Sequence, residues 1–231
     1  MNNSSQSRAV VTQIERVAPA LVERARTVQA AILADVAGRR GTLNGRVQAL
    51  GAHMKVAGPA ITVEVRPGDN LAIHAALAVA KPGDVIVVDG KGDVSCALIG
   101  EIMSTQAKAT DIAGFVIDGA VRDTDELASG DFPIFSAGRN PCGPTKSVAG
   151  RVNGQISAAG ASVNPGDLIV GDADGVVVVP RESVAALLDA AQNKVNAEAK
   201  RIAAIRAGDT RAPWLERELR AVGMLAEGET L

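Results

Sequence analysis

The chain has 231 residues, 47% of them apolar and 22% charged, which is enough for one large globular domain with a substantial core. A formal net charge of −2 gives no indication of a basic face broad enough to drive nucleic-acid binding. Three Phe, one Trp and no Tyr are too few to build base-stacking platforms.

Residues 1–16 read as a polar N-terminal tail, and Val17–Val36 as a helix with Pro19 in its first turn and Gly38 as its stop. A turn-rich connector covers 38–45. Ala60–Val65 is a short β-rich run. The triplet Pro-Gly-Asp (67–69) then introduces a helix over Leu71–Ala80. A second Pro-Gly-Asp (82–84) leads into Val-Ile-Val-Val-Asp (85–89), a continuous apolar run expected of a strand buried on both faces. Gly90–Ser95 reads as loop and Ala97–Ala109 as helix. Gly114–Asp118 reads as a second buried strand, Thr124–Ala128 as a short helix and Pro133–Ser136 as a short strand. From Lys146 to Pro180 short β runs alternate with Gly and Pro. They include a third Pro-Gly-Asp (165–167) and a hairpin of Leu168–Val170 with Val176–Val179. The three triplets read as turn chemistry ahead of an element rather than as a repeat. A long helix with Val184, Leu187, Leu188, Ala191, Val195, Ile202 and Ile205 on its apolar positions follows, then a short helix over Trp214–Val222. Strand–helix–strand units beside a β-rich segment predict a layered α/β domain.

Asp-Gly-Ala-Val-Arg-Asp (118–123) follows a buried strand directly, and residues just past the carboxyl end of such a strand line the crevice where α/β proteins bind ligands. Arg122 offers a rigid donor fork for a carboxylate or keto oxygen. Asp123 offers a hard oxygen suited to Mg²⁺ or Mn²⁺. The same pair could be a surface salt bridge, or Asp123 a helix N-cap. Gly-Glu-Ile-Met (100–103) lies near the start of the helix after the 85–89 strand, where unpaired N–H groups make an anion site. Glu101 there could equally be a first-turn acid complementing the helix dipole.

Glu101, twenty residues, then Arg122-Asp123 is similar to the signature of the RraA-like family. That family includes the class II pyruvate aldolases acting on 4-hydroxy-4-methyl-2-oxoglutarate and 4-carboxy-4-hydroxy-2-oxoadipate. Arg-Pro-Gly-Asp-Asn (66–70) with His74, Lys-Pro-Gly-Asp-Val-Ile-Val-Val-Asp (81–89), Asp-Phe-Pro-Ile-Phe (131–135) and the run 165–180 resemble the family too. The resemblance implies a layered β/β/α, swivelling-domain-like α/β fold over 17–207. A C-terminal helical extension would occupy 208–231, and the chain would assemble as a homotrimer or hexamer. It implies that Asp123 holds a divalent metal, Mg²⁺ or Mn²⁺, largely through waters, and that Arg122 binds the keto oxygen of an oxo-acid substrate. Gly100, Glu101, Ile102 and Met103 would hold the pyruvyl carboxylate through their backbone, and Glu101 would orient a metal-bound water. The activity implied is a metal-dependent lyase, releasing pyruvate from a 4-hydroxy-2-oxo diacid or decarboxylating oxaloacetate. The alternative is a non-catalytic RraA-type regulator that binds a ribonuclease. A methyltransferase is disfavoured, since no glycine-rich nucleotide loop follows an early strand.

The remaining residues are read more plainly. His74 is a packed helix histidine, and Lys146 faces the site without acting as a nucleophile. Asp89 and Asp118 support the site from behind or cap turns. Cys96 and Cys142 are inert thiols, because nothing near them in sequence would lower a thiol pKa. No apolar run approaches the ~20 residues that cross a bilayer, and no leader opens the chain. A soluble cytoplasmic protein without membrane partners is therefore expected.

Overall fold

A computed structural model describes residues 9–231, and the first part of the expected N-terminal tail, 1–8, lies outside the described residues. The chain divides into two compact units, Met1–Ala191 and Gln192–Leu231.

In the first unit, helices α1 (Pro19–Ala25) and α2 (Ala30–Val36) precede the short strand β1 (Gln48–Ala49). Three strands and three helices then alternate. They are β2 (Val56–Glu64), α3 (Leu71–Val79), β3 (Val85–Ile99), α4 (Glu101–Ala109), β4 (Gly114–Val121) and α5 (Thr124–Ser129). Strand β5 (Ile134–Arg139) completes this run. After it come β6 (Arg151–Val152), the hairpin β7 (Ile156–Ala158) and β8 (Ala161–Val163), the hairpin β9 (Leu168–Asp172) and β10 (Gly175–Val179), and the start of α6 (Val184–Arg206). In the second unit α6 continues and α7 (Leu215–Ala221) follows.

The large sheet has the order β1-β5-β4-β3-β2-β9-β10. Strands β2 to β5 are mutually parallel, while β2 also pairs antiparallel with β9 through Val56–Pro59. The side-chain period of two explains why these strands read as unbroken apolar runs. Ile61, Val63, Ile86, Val88, Phe115 and Ile117 point into a core covered by α3 and α4. Their neighbours Ala60, Val85, Val87 and Val116 point the other way, onto the β7–β8 hairpin and one face of β9–β10. Leu168, Val170, Val177 and Val179 on the far face of that hairpin pack against α1, α2 and the start of α6. The layers are therefore helix, sheet, sheet and helix, and the layered α/β architecture expected from the sequence is found. Each fully buried large side chain in these clusters contributes about 1.5–3 kcal/mol.

All three Pro-Gly-Asp triplets are turns with the glycine at positive φ, Gly68 at 76°, Gly83 at 85° and Gly166 at 83°. Proline followed by a left-handed glycine is the type II pattern. The Asp N–H closes each turn on the carbonyl three residues back, Arg66, Lys81 or Asn164.

Three expectations need correction. Val17–Val36 is two helices, because the chain turns at Arg26–Gln29 and the Asp172 carboxylate receives the N–H of Ala30 at 2.9 Å. Gly90–Ser95 is not a loop between elements but part of β3. The eleven residues from Asp89 to Ile99 run beside the four from Asp118 to Val121 through successive register shifts. A polar, glycine-broken segment can stay in a strand when it bulges out of register. For the same reason Ala97–Ile99 is strand rather than helix, and α4 begins at Glu101. Residues 9–17 are tied to the body. Val152 N–H bonds the Ala9 carbonyl, and Arg16 forms a two-point ion pair with the buried Asp84 at 2.8 Å. No helix among the described residues is long and apolar enough to cross a membrane.

Candidate active site

Strands β3 and β4 lie side by side and end together, with Ile99 paired to Val121. The residues that follow each strand are therefore neighbours. Arg122 N–H donates to the Ile99 carbonyl at 3.1 Å, which fixes the start of the second turn against the end of the first strand. Asp123 has φ 57° and ψ 40°, a left-handed conformation that costs a non-glycine residue energy and directs its carboxylate back over α4. There its Oδ2 accepts the N–H of Glu101 at 2.9 Å. Its other oxygen takes no hydrogen bond from any described residue. A methyl group on Gly100 would overlap Asp123 Oδ2 and lie 2.9 Å from Arg122 Cγ, so this close approach requires glycine.

Arg122 Nε is 3.7 Å from Asp123 Oδ2, with both side chains about 40% exposed. An exposed pair at that distance is weak and leaves the guanidinium donors for a ligand. Asp123 stands at the N-cap position of α5 but makes no capping hydrogen bond there, since its carboxylate serves α4. Of the two plain readings of these residues, the salt bridge exists in weak form and the cap does not.

Arg122, Asp123, Gly100, Ile102 and Met103 line one pocket of about 140 Å³. The N–H groups of Ile102 and Met103 are first-turn donors without intrahelical acceptors. Ile102, 80% exposed, forms the rim. Glu101 is split between two places. Its backbone N–H is held at the site by Asp123, while its side chain lines a separate shallow hollow with Ser104, Lys108, Glu126 and Phe132.

The opposite wall consists of Asn70, His74, Pro144 and Lys146. Asn70 is buried and donates to the Leu98 carbonyl at 2.9 Å and to Met103 Sδ at 3.3 Å. Asn70 Oδ1 and His74 Nε2 are buried without a hydrogen-bond partner. Buried polar atoms left open in this way ask for a ligand or water. Burial, and secondarily the Lys146 ammonium, pushes the His74 pKa down, so the imidazole is neutral near pH 7. Asp69 builds this wall. Its carboxylate accepts hydrogen bonds from Ser147 N–H and Thr145 Oγ at 2.7 Å, Leu71 N–H at 3.0 Å and Val148 N–H at 3.1 Å. Burial alone would raise the Asp69 pKa, but these bonds together outweigh it and hold it at about 2.

Asn70 was not singled out as a site residue from the sequence, and His74 was read as packing. The available signal was their i, i+4 spacing at the head of α3, which puts both on one helix face. Asp89 and Asp118 are engaged elsewhere, Asp89 with Lys91 at 2.6 Å and Asp118 with Arg46 at 2.9 Å.

No group of three or more His, Cys, Asp or Glu among the described residues could cage a metal ion. Asp123 is the single carboxylate lining the pocket. One carboxylate supplemented by waters and substrate oxygens is an ordinary arrangement for Mg²⁺, so the donor set fits such an ion while excluding a protein-only cage.

A family model described as RraA-like, Aldolase/RraA, matches residues 12–178. A Halalkalibacterium halodurans protein provisionally named a 4-hydroxy-4-methyl-2-oxoglutarate aldolase is 42% identical over 169 residues, 73% of this chain and 80% of its own. Among solved structures, an uncharacterized protein of Pseudomonas syringae pv. tomato aligns with a TM-score of 0.73 at 29% identity, covering 84% of this chain and 96% of that one. Streptomyces coelicolor RraAS2, described as an unusual member of the RNase ES inhibitor RraA protein family, aligns with a TM-score of 0.72 at 30% identity. That match covers 81% of this chain and 99% of the other.

Proposed function

The chain belongs to the RraA-like family, and from that premise we propose that it is a divalent-metal-dependent lyase releasing pyruvate from a 4-hydroxy-2-oxo diacid of the 4-hydroxy-4-methyl-2-oxoglutarate type. Oxaloacetate, whose decarboxylation leaves the same pyruvate enolate, is a second candidate substrate. The observation that carries this reading is the convergence of Arg122, Asp123 and the first turn of α4 on one pocket.

In this reading the N–H groups of Ile102 and Met103 hold the pyruvyl carboxylate, helped by the positive end of α4. Arg122 donates to the keto oxygen. When the carbon–carbon bond breaks, its electron pair stays with the pyruvyl fragment as an enolate. Negative charge then grows on the oxygen that Arg122 already bonds, where a charge-assisted donor lowers the barrier most. Asp123 would hold Mg²⁺ or Mn²⁺, which supplies Lewis-acid stabilisation of the same charge when bound. The water-orienting role expected of Glu101 requires its side chain to turn from the neighbouring hollow into the pocket. The pocket itself offers a neutral proton acceptor in His74, and Lys146 offers a cation to the far carboxylate of a diacid. Assembly into a homotrimer or hexamer is part of the same proposal, and the mass in solution tests it.

A coupled pyruvate assay over a panel of oxo acids, with and without EDTA, tests the proposal. Asp123→Ala is expected to lower kcat/KM by at least about 10²-fold, as loss of a group stabilising developing charge does, and EDTA to silence the unmodified protein. Absence of pyruvate from every oxo acid, or turnover indifferent to both changes, would sink it. Similarity to RraAS2 favours a second reading, a regulator that binds a ribonuclease. Ribonuclease inhibition that survives Asp123→Ala, in a protein inert toward oxo acids, would decide for it.

A further inference from the structure

Cys96 and Cys142 stand 46 residues apart in the chain yet meet in space. Strand β3 and the loop after β5 are joined there by a bond from Ala97 N–H to the Cys142 carbonyl at 2.8 Å. The Cys96 thiol donates to the Gly143 carbonyl at 3.0 Å, and the Cys142 thiol lies 3.8 Å from the same oxygen. Two sulfurs from different elements therefore converge on one atom. Both are free thiols, Cys142 exposed and Cys96 partly buried. Burial first, and the adjoining Cys142 thiol second, raise the Cys96 pKa. The loop is well anchored. Asn140 Nδ2 donates to the Val94 carbonyl at 2.9 Å, and Asn140 Oδ1 accepts Cys142 N–H at 2.8 Å. It also runs past the pocket. A methyl on Gly143 would sit 2.8 Å from Arg122 Nη1, and Pro144 and Lys146 of the opposite wall follow directly.

We propose that Cys96 and Cys142 form a redox site, a vicinal dithiol that a small-molecule disulfide converts into an intramolecular bridge across the pocket's edge. Cys142, the exposed thiol, loses its proton and attacks one sulfur of the disulfide RSSR. That S–S bond breaks, a mixed disulfide Cys142–SR forms, and one thiol RSH departs. Cys96 then loses its proton and attacks Cys142 Sγ, expelling the second RSH. The protein loses two protons and two electrons, and RSSR is reduced to two RSH. A thiol with a high pKa is slower to ionise but more nucleophilic once ionised, which suits Cys96 to the second, intramolecular step. The bridge ties the loop carrying Lys146 to the strand that leads into Gly100, so the two walls of the pocket can no longer separate at that edge. It does not depend on which reaction the pocket performs.

The test is incubation of the full chain with oxidised glutathione, read by thiol titration, intact mass and thermal unfolding. Both thiols should disappear, with a mass loss of two hydrogens, no lasting glutathione adduct and no covalent dimer. The thermal midpoint should rise by at least about 4 °C and return on treatment with dithiothreitol. Cys96→Ser should instead stop at a stable single adduct on Cys142, without the rise in midpoint. Thiols that stay titratable, one or two lasting adducts on the unmodified protein, or a disulfide-linked dimer would overturn the proposal.

Discussion

The two walls of the pocket are held by different means. One is backbone. Parallel strands β3 and β4 end in register, and the turns after them lock through Arg122 N–H on Ile99 and Glu101 N–H on Asp123. The other leans on the Asp69 carboxylate, beside backbone bonds of Thr145 with Gly68 and Asn70. Asp69 gathers Thr145, Ser147 and Val148 and so places Lys146, in a segment with no strand or helix of its own. The first wall is fixed by the sheet that also forms the core. The second depends more on side-chain hydrogen bonds, and Asp69 can be changed without altering a residue of the first.

The contrast can be broken from either side. Gly100→Ala is expected to do most harm, because the new methyl displaces the Asp123 carboxylate and moves Arg122 with it. A displacement of about 1 Å at a reacting centre costs on the order of 10²-fold in kcat/KM, with thermal stability little changed, as pyruvate assays beside calorimetry will record. Asp69→Asn should strike the other wall. Its amide cannot accept from all of its present donors, which costs about 2–3 kcal/mol in denaturant unfolding and raises KM more than it lowers kcat. An unchanged KM for Asp69→Asn would show that the 144–148 segment does not contact substrate. The smallest effect is with acid. The Asp69 pKa of about 2 lies below the ordinary value of about 3.9 for this side chain. Its contribution is therefore complete above about pH 4 and is lost as the pH falls toward 2. Acid unfolding followed by circular dichroism should show the unmodified chain losing more stability over that window than Asp69→Asn does.

How far each wall could be read from the sequence follows the same division. The strands 85–89 and 114–118 announced themselves as apolar runs, Arg122-Asp123 was visible because it follows a strand closely, and Gly100–Met103 because it lies near the start of the next helix. The other wall comes from residues 70, 74 and 144–146, joined only by folding. Asp69, Asp84 and Asp167 sit in identical triplets that make the same turn. One gathers a loop, one pairs with Arg16, and one accepts N–H groups from Asn164 and Arg181. Local sequence determines the turn, while tertiary contacts determine what its carboxylate holds. The Glu101 side chain was open in the same manner, and it lines the neighbouring hollow. Its position at the start of α4 was right to within the helix, but spacing along the chain does not say which side of a helix's first turn a carboxylate will occupy. The segment 90–99 was lost for another reason. A strand that leaves register no longer shows alternation, so polar residues and glycines mimic a loop.

That excursion of β3 has a practical consequence. From Asp89 to Ile99 the strand uses eleven residues where β4 uses four, and Lys91 and Gly92 at its crest have positive φ. The surplus is slack in the chain. Length inserted at the crest is expected to leave the strand's two ends in place, with Gly100 still arriving beside Asp123.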